Sequence, residues 1–153
     1  MTTSSTTSRA GADLAEASAA LESASRWIRR ITRPREVNAV NLATLDRLAS
    51  GGPQRVSDLA ASISVSQPGM TGVVTRLVEA GHVRRQSDPT DGRVALIEVT
   101  PAGRSYLSSA KERATATLTE HIKTLPVRQQ RALAAAADAL VALTHTNTGD
   151  RPA

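Results

Sequence analysis

A helix stop and a helix start bracket the stretch that most constrains the fold: Gly51-Gly52-Pro53 on one side and Thr100-Pro101 on the other. Between them the apolar residues change period. Leu59, Ala60 and Ile63 fall at helical spacing over about two turns, Val56 to Ser62, with Asp58 in the first turn, where a carboxylate interacts favourably with the helix dipole. Ser64-Val65-Ser66 follows as a tight polar turn. Gln67-Pro68 then opens a longer helix, in which Met70, Val74 and Leu77 share one face before Gly81 ends it. Proline is tolerated there because first-turn N–H groups have no intrahelical partner. Beyond Gly81, the β-prone segments His82 to Gln86 and Val94 to Val99 flank Ser87-Asp88-Pro89-Thr90-Asp91-Gly92-Arg93, a run dense in turn formers. Two strands around an exposed polar tip make a hairpin.

The flanks read as longer helices. Leu14, Ala17, Leu21, Ala24, Ile28 and Ile31 alternate steps of three and four, which predicts one helix with one buried seam, closed by Pro34, since proline disfavours α geometry at Arg33. Val40, Leu42, Leu45 and Leu48 predict a shorter helix stopped at the Gly-Gly-Pro run. Thr100-Pro101 is an N-cap followed by proline at the first helical position. The helix it starts carries Leu107, Ala110, Ala114, Leu118, His121 or Ile122, and Leu125 on one face, and Pro126 breaks it. A last helix, Val127 to Leu143, holds Leu133, Ala136 or Ala137, Leu140, Val141 and Leu143. Residues 1–12 and 145–153 are polar, small-residue tails without apolar periodicity, and are expected to be disordered. No internal repeat is found.

The expected architecture is therefore mainly α with a small β component. Four helices, a β-hairpin wing and two further helices run in that order, and the segment from 40 to 100 forms a winged helix-turn-helix. Residues 13–33 and 101–144 form the flanking helices. With no Phe, one Trp (Trp27) and one Tyr (Tyr106), the cores must be built from Leu, Val, Ile and Ala. Cysteine is absent, which removes disulfides, thiolate metal sites and cysteine nucleophiles. The amino terminus lacks the apolar stretch of a signal peptide and no run approaches the roughly 18 apolar residues of a membrane span, so the expected location is cytoplasmic, with no membrane partner.

Charge is compatible with a polyanionic partner, with simple solubility as the plainer reading. Nineteen basic residues against fourteen acidic ones give a formal net charge of +5. In a winged helix-turn-helix the first helix of the pair braces the second, whose outward residues near its N-terminus enter the major groove of double-stranded DNA. With Met70, Val74 and Leu77 inward, the outward set is Gln67, Pro68, Thr71, Gly72, Thr75 and Arg76, preceded by Ser66 in the turn. Gln67 can pair bidentately with adenine, and Thr71 can donate to a base or touch a thymine methyl. Arg76, further along the helix, is assigned to phosphate, as is Arg55 at the start of the bracing helix. Arg93 at the wing tip either enters the minor groove or pairs locally with Asp91. Each of these side chains has a plainer reading as part of a solvated helix face.

Several segments also resemble, in order, the signature of the MarR family: Leu59-Ala60, Ser64-Val65-Ser66-Gln67-Pro68, Met70-Thr71, Thr75-Arg76-Leu77, Gly81-His82-Val83-Arg84-Arg85, Asp88-Pro89-Thr90-Asp91-Gly92-Arg93, and Val99-Thr100-Pro101-Ala102-Gly103-Arg104. The resemblance implies a homodimer whose first and last two helices interlock, holding two winged modules over successive major grooves of a palindromic site. It implies a transcription regulator, by default a repressor. It also implies that a small aromatic or anionic ligand binds between the dimerisation helices and the winged module, where Trp27 and Tyr106 are the available aromatics and Arg30 can meet an acid group. For each of these three the plainer reading is packing or a solvated charge. The two apolar flanking stripes independently suggest a partner surface, because a chain of 153 residues has difficulty covering both.

Two positions depart from the family pattern. Gly72 stands where a larger, often basic residue is common, and Gly92 replaces a frequent arginine. Gly69 and Gly72 each cost on the order of 1 kcal/mol against alanine in a helix, which predicts a recognition helix loosely held until DNA orders it. The module is also only marginally basic, with Arg55, Arg76, Arg84, Arg85 and Arg93 set against Asp58, Glu79, Asp88 and Asp91. The denser run Arg26, Arg29, Arg30, Arg33 and Arg35 reads first as a solvated face, with phosphate or an anionic effector as the alternative. Catalysis is not expected: His82, His121 and His145 are scattered, and neither a phosphate-cradling glycine loop nor metal-ligand spacing occurs. No cofactor is expected. The rival to a DNA-reading module is a winged helix used for protein or RNA contact.

Overall fold

The computed structural model describes residues 3–32, 39–87 and 95–145. Its elements are α1 (Thr3–Ile31), α2 (Ala39–Gly51), β1 (Gln54–Arg55), α3 (Val56–Ile63), α4 (Gln67–Glu79), β2 (Val83–Ser87), β3 (Ala95–Val99), α5 (Pro101–Lys123), α6 (Val127–Ala135) and α7 (Ala137–His145). The chain divides into two compact units, residues 1–114 and 115–153.

The core of the first unit is aliphatic. Leu45 and Leu48 of α2, Leu59 and Ala60 of α3, Met70, Val73, Val74 and Leu77 of α4, Val83 of β2, Ile97 and Val99 of β3, and Leu107 of α5 form one buried cluster. Among the described residues Thr44 is the buried polar side chain; its hydroxyl donates to the Val40 carbonyl at 2.8 Å, which satisfies it inside the helix.

The sheet has three antiparallel strands in the order β1-β3-β2. Val83 pairs with Val99, Arg85 with Ile97, and Gln54 with Ile97 from the other side. The third strand, β1, was not expected. It is two residues long, too short for period-two alternation, and exists because the chain leaving Pro53 meets the edge of β3.

Thr100 ties three elements together. Its hydroxyl accepts from Gly103 N–H at 3.0 Å and donates to the Gly81 carbonyl at 2.7 Å, while its own N–H bonds the His82 carbonyl at 3.0 Å. Gly81, at φ 72°, makes the left-handed turn that leaves α4. At Gly103 a Cβ would lie 2.0 Å from the His82 carbonyl oxygen, so only glycine lets α5 start this close to the backbone before β2.

Two boundaries and one buried face differ from expectation. α1 reaches back to Thr3, ahead of the start at residue 13. No proline interrupts that stretch, and extending an existing helix adds one hydrogen bond per residue fixed. The seam on α1 is not buried by its own chain: Leu14 is 70% exposed and Leu21 41%, and only Ile28 and Ile31 become half-buried. The last helix is two helices. At Ala136 the N–H is shared between the Ala132 and Leu133 carbonyls, a local tightening towards i→i−3 bonding rather than a loop.

Candidate nucleic-acid interface

Local sequence sets the helix pair. α3 ends at Ser64, whose φ of 57° and ψ of 43° place it in the left-handed region more often taken by glycine, and the chain turns sharply there. Ser66 then caps α4: its hydroxyl oxygen accepts from Gly69 N–H at 3.3 Å, and the Met70 N–H reaches the Ser66 carbonyl at 2.9 Å. Gly69 packs tightly in this closure, since a Cβ there would approach both Ser66 Oγ and Val65 Cγ1 to 3.0 Å and both side chains would have to give.

The rotation of α4 is fixed by four inward residues rather than three. Met70, Val73, Val74 and Leu77 are all buried; Val73 was not anticipated because the stripe was read at steps of four and three from Met70. Gln67, Pro68, Thr71, Thr75 and Arg76 are exposed on the other side, together with Ser66. The first turn contains no acidic residue, so the positive end of the helix dipole is available to an anion.

The two threonines are more specialised than sequence suggests. Thr71 Oγ1 donates to the Gln67 carbonyl at 3.0 Å and Thr75 Oγ1 donates to the Thr71 carbonyl at 2.9 Å. Each hydroxyl proton is therefore used within the helix, leaving an acceptor oxygen and a methyl group to face outward. Such a surface suits a base amino group or a thymine methyl.

Arg55 is exposed and is the last residue of β1, at the N-cap position of the bracing helix. On β2, Arg84 is held by Glu98, with Nε 2.7 Å and Nη2 2.6 Å from the same carboxylate oxygen. Arg85 points to the opposite face, in register with Ile97, and is exposed. It is a candidate phosphate contact that charge counting alone did not separate from Arg84; strand alternation from Val83 distinguishes the two. Arg93 and Asp91 lie outside the described residues, as do Arg33 and Arg35.

Of the residues considered for a small ligand, Tyr106 is half-buried against the core and stacks on His82, with ring centroids 4.3 Å apart and planes at 25°. Trp27 is half-buried and Arg30 exposed, one turn apart on α1. On the same helix Arg26 pairs with Glu22, and Arg29 Nη1 donates to Ser25 Oγ at 2.8 Å, so part of the arginine run is engaged along its own surface.

A short bracing helix, a capped helix with one buried and one polar face, and an antiparallel wing define a winged helix-turn-helix DNA-binding protein. A model of the MarR family matches residues 37–95. The HTH-type transcriptional regulator Mb0904 of Mycobacterium bovis is 32% identical over 119 residues, which cover 78% of this chain and 83% of the relative. The chain belongs to the MarR family, whose members are DNA-binding transcriptional regulators and not enzymes. Solved structures agree in fold. RV1404 from Mycobacterium tuberculosis matches with a TM-score of 0.71 at 23% identity, covering 92% of this chain and 97% of that one. PcaV from Streptomyces coelicolor, solved with its natural ligand, matches with a TM-score of 0.54 at 18% identity over 86% and 91%.

Proposed function

We propose that the protein is a homodimeric repressor that reads a palindromic operator with α4 of each subunit and is released by a small aromatic or anionic ligand. The observation that carries the DNA reading is the two-faced character of α4. Its inward residues are locked in the core, and its exposed face offers Gln67, Thr71, Thr75 and Arg76 from a first turn free of acids. Ser66 and Pro68 shape the leading end, Gln67 reads adenine, and Thr71 and Thr75 meet amino or methyl edges. Arg55 contacts phosphate, and Arg93, supported by Asp91, extends the contact from the wing.

The division of labour follows the exposed apolar surface. Residues 40–100 bind DNA, whereas residues 13–33 and 101–144 pair with a second subunit. Support comes separately from each unit: Leu14 and Leu21 in the first, and Leu125, Val127, Leu133, Leu140, Val141 and Leu143 in the second, are left uncovered by their own chain. A twofold dimer presents two recognition helices to half-sites one helical turn apart. Repression follows from steric occupation of a promoter. For release, Trp27 and Arg30 on α1 and Tyr106 on α5 supply the aromatic and cationic groups, with Tyr106 already packed on His82.

Protein footprinting on the DNA flanking its own gene tests the proposal. The expected result is two protected half-sites of inverted sequence, centred about 10 base pairs apart, with protection lost when an aromatic acid is titrated in. A single unsymmetrical footprint contradicts the dimer, and protection indifferent to every aromatic acid tried contradicts the ligand step.

A further inference from the structure

Gly72 leaves a notch on the DNA-facing side of α4, and Arg76 lies over it. With Met70, Val73, Val74 and Leu77 fixing the inward direction, helical geometry runs the outermost ridge through Pro68, Gly72, Thr75 and Glu79. Arg76 is rooted on the flank of that ridge, one turn after Gly72. Helical side chains lean towards the N-terminus and cover the preceding turn. Here the lean carries Arg76 Nη1 to 3.6 Å from the point a Cβ would occupy at Gly72. That distance is ordinary van der Waals contact, so a methyl fits, but any longer side chain at 72 claims the volume the guanidinium fills. Among the described residues Arg76 has no carboxylate partner, in contrast to Arg84 and Arg26.

The notch changes what Arg76 can reach. Rooted on the third turn, it belongs by position to the groove wall and to phosphate. Lying forward over Gly72, its charged end is advanced by about one turn, roughly 5 Å, towards the end of α4 that enters the groove. We infer that Gly72 and Arg76 act as one specificity unit, in which the missing side chain at 72 lets the Arg76 guanidinium reach a base edge and pair bidentately with guanine O6 and N7. This inference rests on the reading of α4 as the recognition helix.

The test is selection from a pool of DNA duplexes with a randomised centre, using the full-length protein and the variants Gly72→Ala, Gly72→Met, Arg76→Ala and Arg76→Lys, each checked for an unchanged melting transition. The wild type is expected to prefer G·C at one position per half-site by on the order of 10- to 100-fold. Arg76→Ala and Arg76→Lys lose that preference and keep the others, because lysine is a point charge without the planar fork. Gly72→Met loses it at the same position although Arg76 is present, whereas Gly72→Ala retains it. If Arg76→Ala instead weakens all sequences equally and lowers the salt slope by about one, Arg76 is a phosphate contact and the inference falls. It falls equally if Gly72→Met leaves the G·C preference intact; should that variant not fold, the two Arg76 variants decide. A wild type that enriches no sequence overturns the reading of α4 itself, and this unit with it.

Discussion

Ser66 combines two roles that sequence alone merges into one. Its hydroxyl caps α4 through Gly69 N–H, and it also stands at the exposed leading edge of the recognition helix. Removing an N-cap hydroxyl costs about 1 kcal/mol, and aspartate caps as well as serine while adding a negative charge. Ser66→Ala is therefore expected to lower the melting temperature by roughly 2–8 °C, and Ser66→Asp to restore it. On duplex DNA the order reverses: Ser66→Asp binds more weakly than Ser66→Ala, because its carboxylate faces phosphate. Thermal unfolding and duplex titration on the same samples check both; equal DNA affinity of the two variants would place Ser66 away from the backbone. At this scale the inward and outward residues of α4 were legible from apolar spacing, apart from Val73. Hidden from sequence were the i→i−4 hydroxyl bonds of Thr71 and Thr75, which decide whether each side chain meets DNA as a donor or an acceptor. The tight packing at Gly69 was hidden too, since it arises only when the Val65-Ser66 turn folds against it.

Among the elements, α5 shows how a long helix is anchored to the module. Its first turn is clasped by Thr100, while Arg104 Nη1 donates to the Ala49 carbonyl at 3.4 Å and Lys111 Nζ lies 2.6 Å from Asp46 Oδ1. Both contacts are exposed, and exposed ion pairs contribute little, so α5 is held mainly by its buried residues Gly103, Leu107 and Ala110, with the close approach at Gly103 the tightest of these joints. Gly103→Ala forces the His82 backbone or the helix start to move and is expected to destabilise the protein by about 1–3 kcal/mol. Urea unfolding measures this, and a variant within about 0.5 kcal/mol of wild type would show that the joint relaxes freely. Thr100-Pro101 announced this helix start in sequence, but the tight neighbour of Gly103 could not be read, because it is the His82 carbonyl, distant in sequence and brought alongside by the pairing of β2 with β3. The same reason hid β1, which owes its existence to the edge of β3. The break at Ala136 falls within the run Ala134-Ala135-Ala136-Ala137, where local sequence marks no stop.

For the whole molecule, the order of the main elements was legible because their boundaries carry punctuation, at Gly51-Gly52-Pro53, Gln67-Pro68, Gly81, Thr100-Pro101 and Pro126. What sequence could not separate was apolar surface buried within the chain from apolar surface left for another. The stripe on α1 read as a buried seam, yet Leu14 and Leu21 are open. Weak module charge makes this difference functional. Among the described residues of the module Arg84 is paired with Glu98, so in the proposed dimer affinity comes from two modules bound together and from base contacts along α4. The most direct measurement is equilibrium binding of wild type and Gln67→Ala, Thr71→Ala protein to the footprinted duplex and to a scrambled duplex of equal length, across a range of salt concentrations. The account predicts a steep linear fall of log affinity with log salt on both duplexes. It also predicts a wild-type preference for the footprinted sequence that the double variant reduces by on the order of 10- to 100-fold, with the scrambled duplex bound as before. Equal loss on both duplexes, or no preference in the wild type, would contradict the claim that the exposed face of α4 reads DNA sequence.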